Sequence, residues 1–347
     1  MANQTLETGP DLKYRLDPFA LPAETDLRFN LLIVAAVMMA LSLGHTVTVW
    51  LAEVLRTNPD LDPWDYTLGV DNYSFSEALR LFLNGLWINL PWMLLPLILL
   101  LIVLAIALII YRQHPTRIQR RKGLEPLTAD RDARLVEEVD RLAETAGIHP
   151  PRLTINPESK SLDGQAYGFP GRYVIRLGGR LRLLLRKRPA LFRAVVLHEM
   201  GHIANRDVRR AYLAQSIWIA VLVLAVLATS VLTGVLFAGL TTGIFEDGVV
   251  GYDWGLFLTQ KVPTYLLVLL QVVATLWLLT TMRGDVLRVR ELYADWRATL
   301  WGGGAALVEI LRGNAATAKP SLWQRLTRLH PHPADRLAAL EDPPDGT

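Results

Sequence analysis

The stretch His198-Glu199-Met200-Gly201-His202 sets two imidazoles four residues apart with a carboxylate between them. On an α-helix, positions four apart share a face, so both rings can bind a single zinc ion. Glu199 then points to the same site and can take a proton from water held there. The blander reading is two ordinary surface histidines on an amphipathic helix. A catalytic zinc takes three protein ligands and keeps one position open. The 347 residues contain no cysteine, so any further ligand has to be His, Asp or Glu.

A carboxylate in a suitable setting lies downstream, in Arg288-Val289-Arg290-Glu291-Leu292-Tyr293-Ala294-Asp295. Glu291 offers the third ligand. Asp295 lies one helical turn beyond it and can accept a hydrogen bond from a ligand imidazole, fixing its tautomer. Alone, the two acids read as surface ion pairs with neighbouring arginines. Beside the first motif they read as ligand and orienting partner.

The elements that carry these residues include membrane spans. Half of the chain is apolar (51%) and its mean hydropathy is +0.26. Four stretches match the roughly 20 helical residues that cross a bilayer: Phe29 to Ala52, Trp87 to Tyr111, Leu213 to Leu240, and Val262 to Met282. All but three of the 36 lysines and arginines (Arg56, Arg80 and Lys261) fall on one side of these spans. The positive-inside rule makes that side cytoplasmic. The expected organisation is a cytoplasmic tail (1–28), two spans with an external loop (29–111), and a cytoplasmic segment carrying the first motif (112–212). Two more spans (213–282) and a cytoplasmic segment with the third ligand (283–347) complete it. The first span is read as an uncleaved anchor. Arginine far outnumbers lysine, which hints at a GC-rich bacterial genome and hence a cell (inner) membrane protein.

Within the cytoplasmic segments, Thr128 can cap a helix over about Ala129 to Ala146, with Leu135, Val139 and Leu142 on one face. Gly147 and His149-Pro150-Pro151 end it. Arg152–Ile155 and Arg172–Leu177 read as short strands. A helix from about Pro189 carries the first motif towards the third span. Another continues from the fourth span through Arg290 to about Leu300. Ser321–Leu340 is helical in pattern, with a break at His330-Pro331-His332-Pro333. Both motif helices extend nine residues past their spans, which places the ligands at equal height near the membrane surface.

His198 to Asp207 reads H-E-M-G-H-I-A-N-R-D and Arg288 to Asp295 reads R-x-R-E-x-x-A-D. Together they closely resemble the membrane zinc metallopeptidase family of HtpX and the CAAX prenyl proteases, over about Pro126 to Leu340. The resemblance implies a mainly α membrane protein, with four transmembrane helices and an α+β zincin-like (gluzincin) domain carrying a small sheet. It implies one Zn2+ held by His198, His202 and Glu291, with Glu199 as general base. It suggests supporting roles for Asn205, Asp207 and Asp295. His330-Pro331…Arg336 matches the family's H-P-x-x-x-x-R and places His330 or Arg336 near the substrate or the site. With Tyr293, these are the candidates for stabilising an oxyanion. An extended peptide would pair with an edge strand at Tyr173, Val174 and Ile175. The sequence departs from the family at Gln165-Ala166-Tyr167-Gly168-Phe169-Pro170-Gly171, where N-A-F-A-x-G is common. The basic run Arg180, Arg182, Arg186, Lys187, Arg188 is also unusual.

The implied function is a metalloendopeptidase acting on membrane or membrane-adjacent polypeptides, with the lipid bilayer and a polypeptide substrate as partners and no role for nucleic acid. Two rivals are a zinc-domain signalling receptor and a catalytically silent scaffold. The receptor would need a larger external sensor than these loops provide. The scaffold has no need of Glu199.

Overall fold

The computed structural model describes residues 21–55, 75–121, 123–245, 262–317 and 331–341. In chain order the first elements are α1 (Leu21–Leu55), α2 (Phe75–Arg121), β1 (Glu125–Leu127), α3 (Ala129–Thr145), β2 (Arg152–Asn156), β3 (Gly164–Phe169) and β4 (Arg172–Gly178). Then come α4 (Leu181–Lys187), α5 (Pro189–Ala204), α6 (Asp207–Phe245), α7 (Val262–Ala298), a π-helical turn (Thr299–Gly303), α8 (Gly304–Thr317) and α9 (Pro333–Glu341). Among the described residues the fold is mainly α with one four-stranded mixed sheet. The chain divides into two compact units: Met1–Asn30, Arg112–Tyr212 and Thr281–Thr347 form one, Leu31–Tyr111 and Leu213–Thr280 the other.

Among the described residues, α1, α2, α6 and α7 are the four helices long and apolar enough to cross a membrane, and most of their apolar length lies in the second unit. Large apolar side chains such as Leu101, Ile109, Leu267 and Trp277 stand exposed along them, a surface suited to lipid rather than water. Between helices the contacts are close or polar, as in membrane bundles. A Cβ on Gly44 would lie 3.0 Å from Pro96 Cα, and Trp218 Nε1 donates to Thr280 Oγ1 at 2.9 Å. Thr46 donates to Gln271 at 3.0 Å, and Gln271 donates to Ser42 at 2.8 Å.

The first unit is built around α5. Its sequence is apolar on nearly every side, and eleven of its residues, including His198, Glu199 and His202, are buried. Such a helix belongs in a core. The amphipathic surface helix of the bland reading is therefore absent. The helix α3 packs against α5 and buries Leu135, Val139 and Leu142, the face expected from their spacing. Its cap differs from expectation. The side chain of Thr128 makes no capping bond, and Asp132, at non-helical φ −157°, accepts from Leu135 N at 3.3 Å instead.

The sheet order is β1-β2-β4-β3, with β2 and β4 parallel and the outer pairings antiparallel. This corrects the expected edge strand. Tyr173, Val174 and Ile175 lie on β4, an inner strand: Val174 and Ile175 pair with both β2 and β3, and Tyr173 with β3. The edge facing α5 is β3. The segment 164–169 escaped the strand reading because two glycines and an alanine give it little β-propensity. Gly171, at φ 76°, turns the β3–β4 hairpin.

Gly201 marks a close approach between the two ligand-bearing helices. An added Cβ would lie 3.0 Å from both Cα and O of Ala294. Gly201→Ala should destabilise the protein by about 1–3 kcal/mol through overpacking. Gly313→Ala, where nothing lies within 4 Å of the new methyl, should leave the thermal midpoint unchanged or raised. Equal midpoints for both variants would show that the Gly201 contact is not tight.

Candidate metal centre

Two helices bring the ligand candidates together. His198 and His202 come from one face of α5, Glu291 from α7, and their ligand atoms all lie within 4.8 Å of one another. His198 Nε2 is 3.5 Å from Glu291 Oε2, and His202 Nε2 is 3.5 Å from Glu291 Oε1. Those separations exceed a good hydrogen bond. They match the ligand–ligand edge of about 3.3 Å that follows from metal bonds of about 2.0–2.1 Å in tetrahedral geometry.

The far side of each ring is held by a carboxylate. His198 Nδ1 lies 2.8 Å from Asp295 Oδ1, and His202 Nδ1 lies 3.0 and 3.1 Å from the two oxygens of Asp207. Asp207 hydrogen-bonds the His202 ring and Asp295 lies at ion-pair distance from the His198 ring, the placement that usually supports metal-ligating histidines. The donor set therefore fits a divalent cation: two oriented imidazole nitrogens and a carboxylate. The charge balance points the same way. Glu199, Asp207, Glu291 and Asp295 are all buried, and buried carboxylates need compensating charge.

Two arginines supply part of that charge. Arg336 on α9 grips Asp295 with Nε and Nη2 at 2.6 and 2.5 Å, a bidentate pair. Arg290 Nε donates to Glu291 Oε1 at 3.2 Å. Sequence reasoning missed Arg290, because nothing in the arginine-rich run distinguishes it from its solvated neighbours. Burial pushes the Asp295 carboxyl up, but His198 and the Arg336 guanidinium outweigh it and hold the group below the usual range.

The helix that was expected to run on towards the third span breaks after the motif. Asn205 ends α5, and Arg206 takes the left-handed conformation at φ 56°. For a residue other than glycine this costs about 1–2 kcal/mol. The break starts α6 in a new direction and returns Asp207 to His202. Among the described hydrogen bonds, Asn205 makes none to either ring. Its side-chain oxygen accepts from Arg297, and its carbonyl accepts from Arg210 at 3.1 Å.

Glu199 faces the sheet. Its Oε2 accepts the backbone N–H of Ala166 on β3 at 2.6 Å. A Cβ on Gly164 would come within 2.6 Å of Glu199 Cγ. Gly164 and Ala166 thus form a seat for the carboxylate that the sequence reading did not identify. Of the oxyanion candidates, Tyr293 is about 200° around the helix from Glu291 and is buried edge-on against Trp296. Arg336 is committed to Asp295, and His330 lies outside the described residues.

Two outcomes follow. Gly164→Ala should displace the Glu199 carboxylate while leaving the three ligands in place, so metal content should stay at the wild-type level as activity falls. Loss of metal in parallel would place Gly164 in the scaffold rather than under Glu199. The second concerns pH. Burial alone would lower the His198 imidazole, but the Asp295 and Glu291 carboxylates raise it to about 10. Below that value a bound proton competes with the metal, so apparent metal affinity should rise about tenfold per pH unit up to about pH 10. Metal titration at several pH values checks this, and an apparent affinity that stops rising near neutral pH would overturn it.

The sequence pattern of peptidase family M48 matches residues 129–343. A protease HtpX homolog of Aeropyrum pernix is 41% identical over 76 residues, covering 21% of this chain and 23% of that protein. A protease HtpX homolog of Thiobacillus denitrificans is 28% identical over 213 residues, covering 59% and 61%. The chain thus spans less than two thirds of the length of either relative. The crystal structure of S. mikatae Ste24p aligns with a TM-score of 0.45 at 19% identity, over 85% of this chain and 67% of that one. The matched segment contains His198, Glu199, His202, Glu291, Asp295 and Arg336, and the chain belongs to peptidase family M48.

Proposed function

We propose that this chain is an integral membrane zinc endopeptidase that cuts polypeptides in or beside the bilayer. The observation that carries the reading is a division of labour among buried acids. Glu291 faces both ligand imidazoles, whereas Glu199, between them in sequence, turns to the β3 edge. A pure binding site has no use for that second carboxylate. The cytoplasmic placement of the site and a bacterial origin belong to this proposal and rest on the arginine distribution.

His198, His202 and Glu291 would hold a zinc ion, which would supply Lewis acidity toward a peptide carbonyl and water. The protein's own groups do the rest. Glu199 accepts the proton of the attacking water and returns it to the leaving amine. Ala166 N–H holds that carboxylate in place. Asp295 and Asp207 keep the rings oriented, and Arg336 holds Asp295. Backbone groups alternate in direction along a strand. Since Ala166 N–H points outward to Glu199, the outward groups of β3 also include those of Gly164 and Gly168. An extended peptide added at this edge would use them, lying beside the metal ligands.

The test is zinc content and peptide cleavage of the full chain in detergent. Wild type should carry about one zinc and cut. Glu199→Gln should keep the metal and lose about 10²–10⁴ in kcat. Glu291→Ala should lose metal and activity together. No zinc bound by wild type at micromolar metal would reject the metallopeptidase reading, and full activity in Glu199→Gln would remove it as the base.

A further inference from the structure

Beyond the metal centre, the first unit contains a cavity of about 510 Å3 between the β3–β4 turn and the break that separates α5 from α6. It is lined by Pro170, Gly171, Tyr173 and Ile203 and by three arginines, Arg206, Arg209 and Arg210. Among the described residues, no acidic side chain lines it. The three arginines are not equivalent. Arg210 pairs with Asp26 and donates to the Asn205 carbonyl, so its charge is met. Arg206 and Arg209 are exposed, and among the described residues neither has a carboxylate partner. The basic run at 180–188 behaves differently: Arg182 pairs with Asp132 and Arg188 with Glu309.

We propose that this cavity binds the phosphate of an anionic phospholipid headgroup. Arg206 and Arg209 form two charge-assisted contacts to the phosphate, and Tyr173 and Ile203 line the side that receives the glycerol backbone. The volume lies within the range of small-molecule sites, and guanidinium groups are the usual partners of phosphate. Position selects a lipid over other phosphates. The arginines stand in the last residue before α6 and in its first turn, and the apolar run of that helix begins at the next residue, Ala211. A basic pocket at the foot of an apolar helix meets headgroups, and each cation near an anionic membrane surface strengthens binding about fivefold. The left-handed backbone at Arg206, which returns Asp207 to His202, also places this guanidinium at the cavity. The inference does not depend on the metal chemistry and can fail or hold separately from it.

The experiment uses the full chain in neutral detergent, titrated with short-chain phosphatidylglycerol, short-chain phosphatidylcholine, inorganic phosphate and a glutamate-rich peptide. Bound ligand is counted by native mass spectrometry. Phosphatidylglycerol should bind wild type tightest, and Arg206→Gln/Arg209→Gln should weaken it about thirtyfold. Arg206→Lys/Arg209→Lys should retain most of the binding, which guards against a folding defect. Arg134→Gln/Arg152→Gln, which removes two exposed charges elsewhere, should change nothing. Equal loss in that control pair would reduce the effect to overall charge and overturn the site. Equal affinity for phosphatidylcholine would overturn it, and so would inorganic phosphate binding as tightly as phosphatidylglycerol. Preferential binding of the acidic peptide would replace the lipid with a substrate subsite. Zinc content measured on the same samples separates failure of this proposal from failure of the peptidase reading.

Discussion

The site depends on one buried carboxylate facing two imidazoles. Glu291 presents one oxygen to each Nε2, and a buried carboxylate in that position needs compensating positive charge. Most features nearby follow from this constraint. Asp295 and Asp207 turn the rings, Arg336 and Arg290 balance part of the negative charge, and Gly201 removes the side chain that would hold α5 away from Ala294. Each of these groups is replaceable only at the cost of an unpaired buried charge or an overpacked contact.

The break at Asn205-Arg206 extends the same logic into the backbone. A helix continuing through these residues would carry residue 207 about 100° per residue around its axis, away from His202. The left-handed residue spends a small conformational cost to bring Asp207 back. The local strain thus serves ring orientation, and it opens the gap that the basic cavity fills.

Much of this was legible in the sequence, for reasons that particular residues make plain. His198, Glu199 and His202 declare themselves because helical spacing alone puts two imidazoles together, and the absence of cysteine narrowed the search for a third ligand. The apolar runs and the face of α3 follow from periodicity. What was not legible depends on tertiary placement. The segment 164–169 has the composition of a loop and becomes a strand because β4 is beside it. Arg290 differs from Arg288 only by where the helix turns it. The cap of α3 passed from Thr128 to Asp132 because the chain bends there, and a bend leaves no mark in the local sequence.

The strand β3 has a further consequence for solubility and folding. An unpaired edge is where chains join one another into continuous sheets, and proteins ordinarily blunt such edges. This edge cannot be covered permanently if it is to accept an extended peptide. Its protection is brevity, the helix α5 packed beside it, two glycines that weaken β-pairing, and a carboxylate occupying one of its amides. The residue proposed as a proton acceptor during turnover therefore also guards an idle strand against self-association.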